Sequence, residues 1–400
     1  MLRYFKAACL GMLLLAFMGS SIVEAKSKEP ESDGLQAGGF VMHPGADVAI
    51  AYDGRDKIGS DDGFVDVGVH FNTHLADETT KSWTNQLSFK WRQFWGLGEA
   101  NADGGPEVNV STNADLFKLS MFRIAPSASY TYFSDPEDDN LRRDFEHHSA
   151  KAGVGLYIQP GAGAIFSQRI GYQFSGRFYT EHSDVSHLVH RVDSVTRWNF
   201  LPQTSMSLLV DFRAITYLDD DRNVSPSIDE EDTHNSSSYP IRVKYSLQGL
   251  MLARMSYVLG LGYAYENYDN GLKEHMFIMN ARLRYDFSSN AGIYLEYKKD
   301  FDNVIYGDYY KLHRVTLGFD GLWFDHLQTD FKLGYGNFNF RSESDSSRRD
   351  NMIIAEAKIF YHFFPGMKLG LEYNLRYNTS DIDSAGYAKN MAILSFAYEY

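Results

Sequence analysis

The last residues of the chain carry the pattern that most constrains its fold. Large apolar side chains occur at Leu394, Phe396, Tyr398 and Tyr400, with small or charged residues between them. A period of two gives a strand one apolar face and one polar face, as in a strand between lipid and a water-filled lumen. The pattern predicts the closing strand of a membrane-spanning barrel. For this segment alone, a soluble antiparallel sheet is the alternative.

The opposite end of the chain has the composition of a secretory signal peptide. Arg3 and Lys6 precede an almost wholly apolar stretch, and Val23-Glu24-Ala25 forms a small-x-small cleavage site. A permanent anchor is the rival interpretation, but the apolar run is short for a bilayer and a polar segment follows it. We predict a signal peptide at 1–25, a flexible periplasmic lead-in at 26–38 and a barrel domain at 39–400.

Composition excludes several classes of protein. No apolar run after residue 25 approaches the length of a membrane helix, although aromatic residues make up 15% of the chain. The one cysteine, Cys9, falls within the predicted signal peptide, so the mature chain would have neither a disulfide nor a thiolate site. A net charge of −14 and the lack of nucleotide-binding motifs disfavour nucleic acid as a partner.

Turn-forming residues recur at intervals that fit long hairpins, with longer polar segments between them. We predict an all-β, antiparallel up-and-down transmembrane β-barrel of about 18 strands (16 as the fallback), with short periplasmic turns and longer extracellular loops. The fourth strand is predicted at 114–123. The predicted short turns are Ile124–Pro126, Gln159–Gly161, Leu201–Gln203, Gln248–Leu250, Ser288–Asn290, Trp323–Asp325 and Phe364–Gly366.

Several segments resemble known outer-membrane proteins. The alternation at 394–400 resembles the C-terminal signal for insertion of bacterial barrels. Phe40–Pro44 followed by Ala46–Asp53, together with Leu261–Asn270 and His313–Phe319, resembles the family called beta-barrel porin 2. That resemblance implies an outer-membrane location and a pore or export-associated role, without catalytic residues.

Charged residues at alternate strand positions are costly in lipid but favourable in an aqueous lumen. We therefore predict a pore wall with more basic than acidic groups, which favours weak anion selectivity. The predicted pore-lining residues are Arg169, Arg177, Asp211, Arg213, Arg242, Lys244, Arg254, Arg282, Arg284, Glu296, Arg314, Glu372 and Arg376.

Two groups of residues could hold a metal ion. The acidic loop at 219–236 contains Asp219–Asp221 and Asp229–Asp232, which offer oxygen ligands, but the spacing matches no calcium loop. His182, His187 and His190 border another loop, as does Glu146–His148. Solvated loops and rim histidines explain both groups more simply. We predict no metal, no cofactor and no catalytic residues.

These patterns favour a passive, porin-like channel for small hydrophilic solutes in the outer membrane of a Gram-negative bacterium. The expected partners are outer-membrane lipid and lipopolysaccharide, the barrel-assembly machinery and the solutes, with the oligomeric state open. One alternative is an export-associated or structural barrel with a closed lumen. A second is an outer-membrane enzyme such as a lipase or protease.

Overall fold

The structure, a computed structural model, describes most of the predicted barrel domain. The described residues are 34–37, 39–56, 62–75, 81–96, 105–118, 121–133, 147–158, 165–180, 186–218, 237–269, 271–302, 309–341, 347–382 and 386–400. The predicted signal peptide at 1–25, the predicted turn Gln159–Gly161, and the acidic loop at 219–236 lie outside them.

Within these ranges the chain forms nineteen strands and no helix, so no helix among the described residues could cross a membrane. In chain order they are β1 Leu35–Ala37, β2 Phe40–Asp56, β3 Asp62–Leu75, β4 Ser82–Gly96, β5 Pro106–Asp115, β6 Phe122–Phe133, β7 His147–Ile158, β8 Phe166–Tyr179, β9 His187–Leu201, β10 Thr204–Tyr217, β11 Ile241–Leu252, β12 Met255–Asn267, β13 Lys273–Asp286, β14 Ala291–Asp302, β15 Tyr309–Trp323, β16 Leu327–Arg341, β17 Ser347–Phe364, β18 Met367–Ser380 and β19 Tyr387–Glu399.

The strands β2 to β19 form a closed antiparallel barrel. Each pairs with its neighbours in sequence, and β19 pairs with β2 in a register that places Leu394 opposite Ile50. The prediction of an 18-strand antiparallel barrel is therefore confirmed. Closure leaves no unpaired sheet edge along the wall, because both edges of the sheet meet at this seam.

The short strand β1 pairs with the first residues of β2, which β19 does not reach. The ladder between β19 and β2 ends at Glu399 and Gly45, and β1 pairs with Phe40–Met42 beyond that point. The backbone groups of Phe40–Met42 thereby gain partners that β19 does not reach. The lead-in predicted at 26–38 therefore differs from the structure at its end, where Leu35–Ala37 form a strand rather than a flexible segment.

Connections differ between the two ends of the barrel. Two-residue to four-residue turns at 202–203, 253–254, 287–290, 324–326 and 365–366 lie at one end, here called the turn end. The connections at the other end, the loop end, include the long interval between β10 and β11. Of the predicted turns, Leu201–Gln203, Ser288–Asn290, Trp323–Asp325 and Phe364–Gly366 are confirmed.

Two turn predictions are wrong, and one of them shifted the predicted range of the fourth strand. Pro126 lies inside β6, and the ladder to β5 is interrupted beside it, because proline has no N–H to donate. The fourth strand therefore occupies Pro106–Asp115 rather than 114–123. Gly249 lies inside β11, where a side chain would meet the Thr204 hydroxyl 2.8 Å away, so glycine permits close approach rather than a turn.

The two faces of the wall differ in polarity. Along β18, Leu369, Leu371 and Tyr373 point outward and are exposed, whereas Lys368 and Glu372, at the alternate positions, point inward. The same alternation occurs along the other strands, so the outer face is a broad apolar surface and the inner face is charged. Trp83, Trp198 and Trp323 lie near the turn end.

Candidate functional site

The inner wall of the barrel is the candidate site. Arg282 and Arg284 show the basis for this assignment: they flank Leu283, whose side chain is exposed on the outer face, so both arginines point inward. Strand alternation gives an inner-face position to every predicted pore-lining residue except Arg254. Those residues are Arg169, Arg177, Asp211, Arg213, Arg242, Lys244, Arg282, Arg284, Glu296, Arg314, Glu372 and Arg376.

Arg254 lies elsewhere. It belongs to the turn between β11 and β12, and its Nη1 donates to the carbonyl oxygen of Phe287, 3.1 Å away in the next turn. Its position at the turn end places it at the rim of the barrel rather than on the wall.

An ion pair connects two strands that are not neighbours. Arg284 on β13 forms two hydrogen bonds with Asp320 on β15, and β14 lies between the two strands. Side chains of second-neighbour strands can meet only on a concave surface, because curvature brings them together there. This pair therefore identifies the charged face as the inside of the barrel.

Many inner-face acids are neutralised by neighbouring arginines and lysines. Asp211, which is 2% exposed, accepts hydrogen bonds from Arg191 at 2.5 Å and from Arg213 at 3.0 Å. Elsewhere Nζ of Lys332 lies 3.2 Å from Oε2 of Glu356, and Nζ of Lys358 lies 3.1 Å from Oε2 of Glu372. Such pairs stiffen the wall and leave a smaller net charge than a count of basic residues implies.

Basic groups are concentrated on four adjacent strands. The strands β6 to β9 contain a single carboxylate, Asp193, which is paired with Arg169. We call the inner face of these four strands the basic sector. Its cationic residues are Arg123, Lys151, Arg169, Arg177, Arg191 and Arg197.

Some members of the basic sector have neutral partners. Among the described residues, Arg177 bonds the Tyr179 hydroxyl at 3.5 Å and Arg197 bonds the Ser205 hydroxyl at 3.1 Å. Neither hydroxyl cancels the charge of its arginine. The positive surplus of the wall is therefore local and lies on one side of the lumen.

The loop end of β14 leaves the wall and lies inside the barrel. The ladder between β13 and β14 ends at Met279 and Lys299, although β14 stays paired with β15 up to Asp302. Beyond that point Phe301, 2% exposed, packs against Ala264, Met276 and Ile278 on the inner face of β12 and β13. This part of β14 therefore occupies space within the lumen.

Arg242 holds this inward part of β14 from three strands away. Its Nη2 donates to the carbonyl oxygen of Phe301 at 2.6 Å, and its Nη1 lies 3.7 Å from Asp300. The guanidinium also lies 5.3 Å from the centre of the Phe301 ring. A charged anchor and an apolar contact thus fix the same segment.

Known structures share this architecture. OpdK from Pseudomonas aeruginosa, solved with vanillate, aligns at a TM-score of 0.53 and 11% identity over 90% of this chain and 99% of its own. A BenF-like porin from Pseudomonas fluorescens Pf-5 aligns at 0.53 and 12% over the same shares, 90% and 99%. The chain shares its barrel fold with these two proteins.

A third solved barrel supports the same assignment of the fold. OccK3 (OpdO) from Pseudomonas aeruginosa aligns at a TM-score of 0.52 and 13% identity, covering 90% of this chain and 96% of its own. No family model and no curated protein matches the chain. The resemblance to beta-barrel porin 2 therefore stays a prediction, while the 18-strand barrel fold is established.

Of the candidate metal ligands, His182 and Glu146 lie outside the described residues, and the described histidines do not converge. His187 points inward and its ring lies 5.3 Å from that of Tyr217, whereas His190, three residues along the same strand, points outward. His147 and His148 likewise lie on opposite faces. Among the described residues no group of three potential ligands comes together.

Sequence reasoning missed a repeated arrangement on the outer face. Tyrosine hydroxyls on β6, β8 and β14 form hydrogen bonds with histidines on the following strands: Tyr130 with His148, Tyr172 with His190, and Tyr297 with His313. On β16 and β18 the partner is an asparagine: Tyr335 with Asn351, and Tyr373 with Asn390. The partners lie on different strands, so only the strand register brings them together.

Proposed function

We propose that the protein is a passive, porin-like channel in the outer membrane of a Gram-negative bacterium. The observation that carries the proposal is a closed 18-strand barrel with an apolar outer face and a charged inner face. The outer face suits lipid and the inner face suits water, and barrels of 16–18 strands leave room for an aqueous channel. OpdK and the BenF-like porin, which share the fold, support the same role.

We further propose that small hydrophilic anions pass more readily than cations. The support is the basic sector, where Arg123, Arg169 and Arg191 are paired with Asp115, Asp193 and Asp211, whereas the described contacts of Lys151, Arg177 and Arg197 include no carboxylate. A fixed positive surplus in a narrow passage raises the local concentration of anions. Because most other inner-face charges are paired, we expect the preference to be weak and to decline as salt screens it.

Conductance of the purified full chain in planar bilayers tests the proposal. We expect stepwise current increases and, across a KCl gradient, a reversal potential of the sign for chloride preference at low salt. Insertion without conductance would favour the alternative of a structural or export-associated barrel with a closed lumen. A reversal potential of the opposite sign would reject anion preference and retain the pore.

The enzyme alternative has no support in a described site. Several histidines in the described ranges bond tyrosines or pack against aromatic rings, as His147 does with Tyr179 and His190 with Tyr172. His70 instead lies 3.7 Å from Asp47, measured from Nδ1 to Oδ1. Lipid, lipopolysaccharide and the barrel-assembly machinery remain the proposed partners. The C-terminal strand, with Leu394 and Phe396 exposed on the outer face and Tyr398 and Tyr400 following, is the proposed recognition element for assembly.

A further inference from the structure

The tyrosine pairs on the outer face lie at one level of the barrel. Tyr172, Tyr297 and Tyr373 come six residues after the first residue of their strands, β8, β14 and β18. Tyr130, Tyr263 and Tyr335 come eight residues after the first residue of β6, β12 and β16. Tyr263 completes the set, because its ring stacks on that of His275 at 6.1 Å. We call these six pairs the donor ring.

The height of the donor ring matches the upper edge of a membrane. With a rise of about 3.4 Å per residue and a tilt of about 40°, the tyrosines lie about 16–21 Å above the turn end. Their histidine and asparagine partners lie two residues closer to the loop end, at about 21–26 Å. The apolar band of a membrane barrel is about 25 Å tall, so these partners reach the level of the lipid headgroups.

The asparagine pairs show which side-chain atom of the tyrosine's partner remains available to bind lipid headgroups. The Tyr335 hydroxyl donates to Oδ1 of Asn351 at 2.9 Å, and the Tyr373 hydroxyl donates to Oδ1 of Asn390 at 2.9 Å. The Nδ2 group of each asparagine is thereby left to act as a donor. In the histidine pairs the tyrosine bonds Nδ1, at 2.8–3.0 Å. A neutral imidazole that accepts at Nδ1 carries its proton on Nε2.

Histidine and asparagine are therefore equivalent in these positions. Asparagine accepts from tyrosine with Oδ1 and keeps the N–H groups of Nδ2, and the Nε2-protonated tautomer of histidine does the same with Nδ1 and Nε2. This equivalence explains why histidine in four pairs and asparagine in two fill the same structural position. A purely apolar girdle would need neither of them.

Cationic side chains accompany three of the pairs on the outer face. Lys299 lies directly opposite His313 in the ladder between β14 and β15. Lys273 and Arg349, both exposed, lie two residues closer to the loop end than His275 and Asn351. Donors and cations at one level are complementary to phosphate oxygens, which accept hydrogen bonds and carry negative charge.

We propose that the donor ring binds the phosphate-bearing headgroups of outer-leaflet lipid. The proposal rests on the proposed function only in requiring that the outer face meets lipid. The N–H groups of histidine and asparagine donate to headgroup oxygens, the nearby cations balance the phosphate charge, and the tyrosines hold the donors in place. The barrel is thereby fixed at a defined depth in the membrane.

Native mass spectrometry of the full chain in detergent, titrated with bisphosphorylated lipid A or its dephosphorylated form, tests the proposal. We expect the wild-type barrel to bind the phosphorylated form about tenfold more tightly, the effect of one charge-assisted hydrogen bond. Equal binding of the two forms by the wild-type barrel would overturn the proposal without any variant.

Two sets of histidine substitutions locate the site. The outer set, His148→Leu, His190→Leu and His313→Leu, should lower the preference for phosphorylated lipid A at least severalfold. The matched inner set, His147→Leu, His187→Leu and His362→Leu, should leave it unchanged. Should the outer set prevent folding, the cationic set Lys273→Gln, Lys299→Gln and Arg349→Gln should lower the same preference.

Conductance separates failure of this proposal from failure of the proposed function. We expect the outer set to form channels with wild-type selectivity, because its side chains do not face the lumen. Wild-type preference for phosphorylated lipid A in every outer-face variant, with conductance intact, would overturn the donor ring alone. Failure of the wild-type chain to insert into bilayers would overturn both proposals.

Discussion

Arg284 and Asp320 form a two-point ion pair across an intervening strand, with Nη1–Oδ1 and Nη2–Oδ2 distances of 2.5 and 2.8 Å. Arg284 also donates from Nε to Asp286 at 2.6 Å, so one guanidinium serves two carboxylates. The pair ties β13 to β15 on the inner face. It depends on the curvature of the wall, since the backbones of these strands are separated by β14.

Replacing Arg284 with alanine should destabilise the barrel by about 1–2 kcal/mol, because two carboxylates lose a charged partner while remaining partly solvated. Urea unfolding in detergent micelles, followed by tryptophan fluorescence, measures the loss. The double variant Arg284→Ala with Asp320→Ala should recover part of the unfolding free energy that Arg284→Ala loses. Strict additivity of the two single losses would show that the pair contributes no coupling.

The register of the closing strand can be tested with two adjacent residues. Leu394 is 50% exposed on the outer face, and Ser395 points inward beside Gly370. Leu394→Arg should block assembly, because an arginine facing lipid costs about 2–4 kcal/mol near the midplane. Ser395→Arg should assemble, since the same side chain faces water. Heat-modifiable migration of outer-membrane fractions distinguishes these outcomes, and equal amounts of both folded variants would contradict the register.

Selectivity should depend on the basic sector rather than on total charge. The combined variant Lys151→Gln, Arg177→Gln and Arg197→Gln removes cations that have no carboxylate partner among the described contacts. We expect the reversal potential in a KCl gradient to move toward zero or toward cation preference. The control, Lys332→Gln with Glu356→Gln, removes a balanced pair and should leave the reversal potential unchanged. An equal shift in both proteins would locate the selectivity outside the basic sector.

The inward part of β14 should depend on one aromatic side chain. Phe301→Ala leaves a cavity beside Ala264, Met276 and Ile278, so we expect a loss of about 3–5 kcal/mol in unfolding free energy. Phe277→Ala is the control, because Phe277 is 73% exposed on the outer face and its truncation leaves no internal cavity, so its cost should be the smaller of the two. Equal costs would mean that Phe301 is not held as the structure shows.

Sequence alternation was sufficient to predict the barrel but not all of its strands. Strands such as β18, with leucine and tyrosine at every second position, follow directly from periodicity. By contrast, β5 has the sequence PEVNVSTNAD, in which small polar residues on both faces obscure the alternation. Pro126 added to the error, because a proline within a strand resembles a turn when its neighbours in the sheet are unknown.

The candidate site was predictable only in part, for a geometric reason. The inner-face positions of Arg282 and Arg284 follow from the alternation of side chains along one strand. The partner of Arg284 on β15 and the inward course of β14 depend on the curvature of the wall, which the alternation along a single strand does not reveal. The donor ring had a visible trace, a tyrosine six or eight residues after a strand begins, but its histidine and asparagine partners become apparent only when the register is known.

The seam between β2 and β19 has a consequence for how the barrel is made. All other ladders of the barrel wall join strands adjacent in sequence, whereas the pairing of Ile50 with Leu394 joins opposite ends of the chain. Hairpins can therefore form locally and early, but the final closure must wait for the whole polypeptide. Until then two strand edges offer unpaired backbone groups to other chains. A newly made molecule thus needs protection from aggregation until its last strand has arrived.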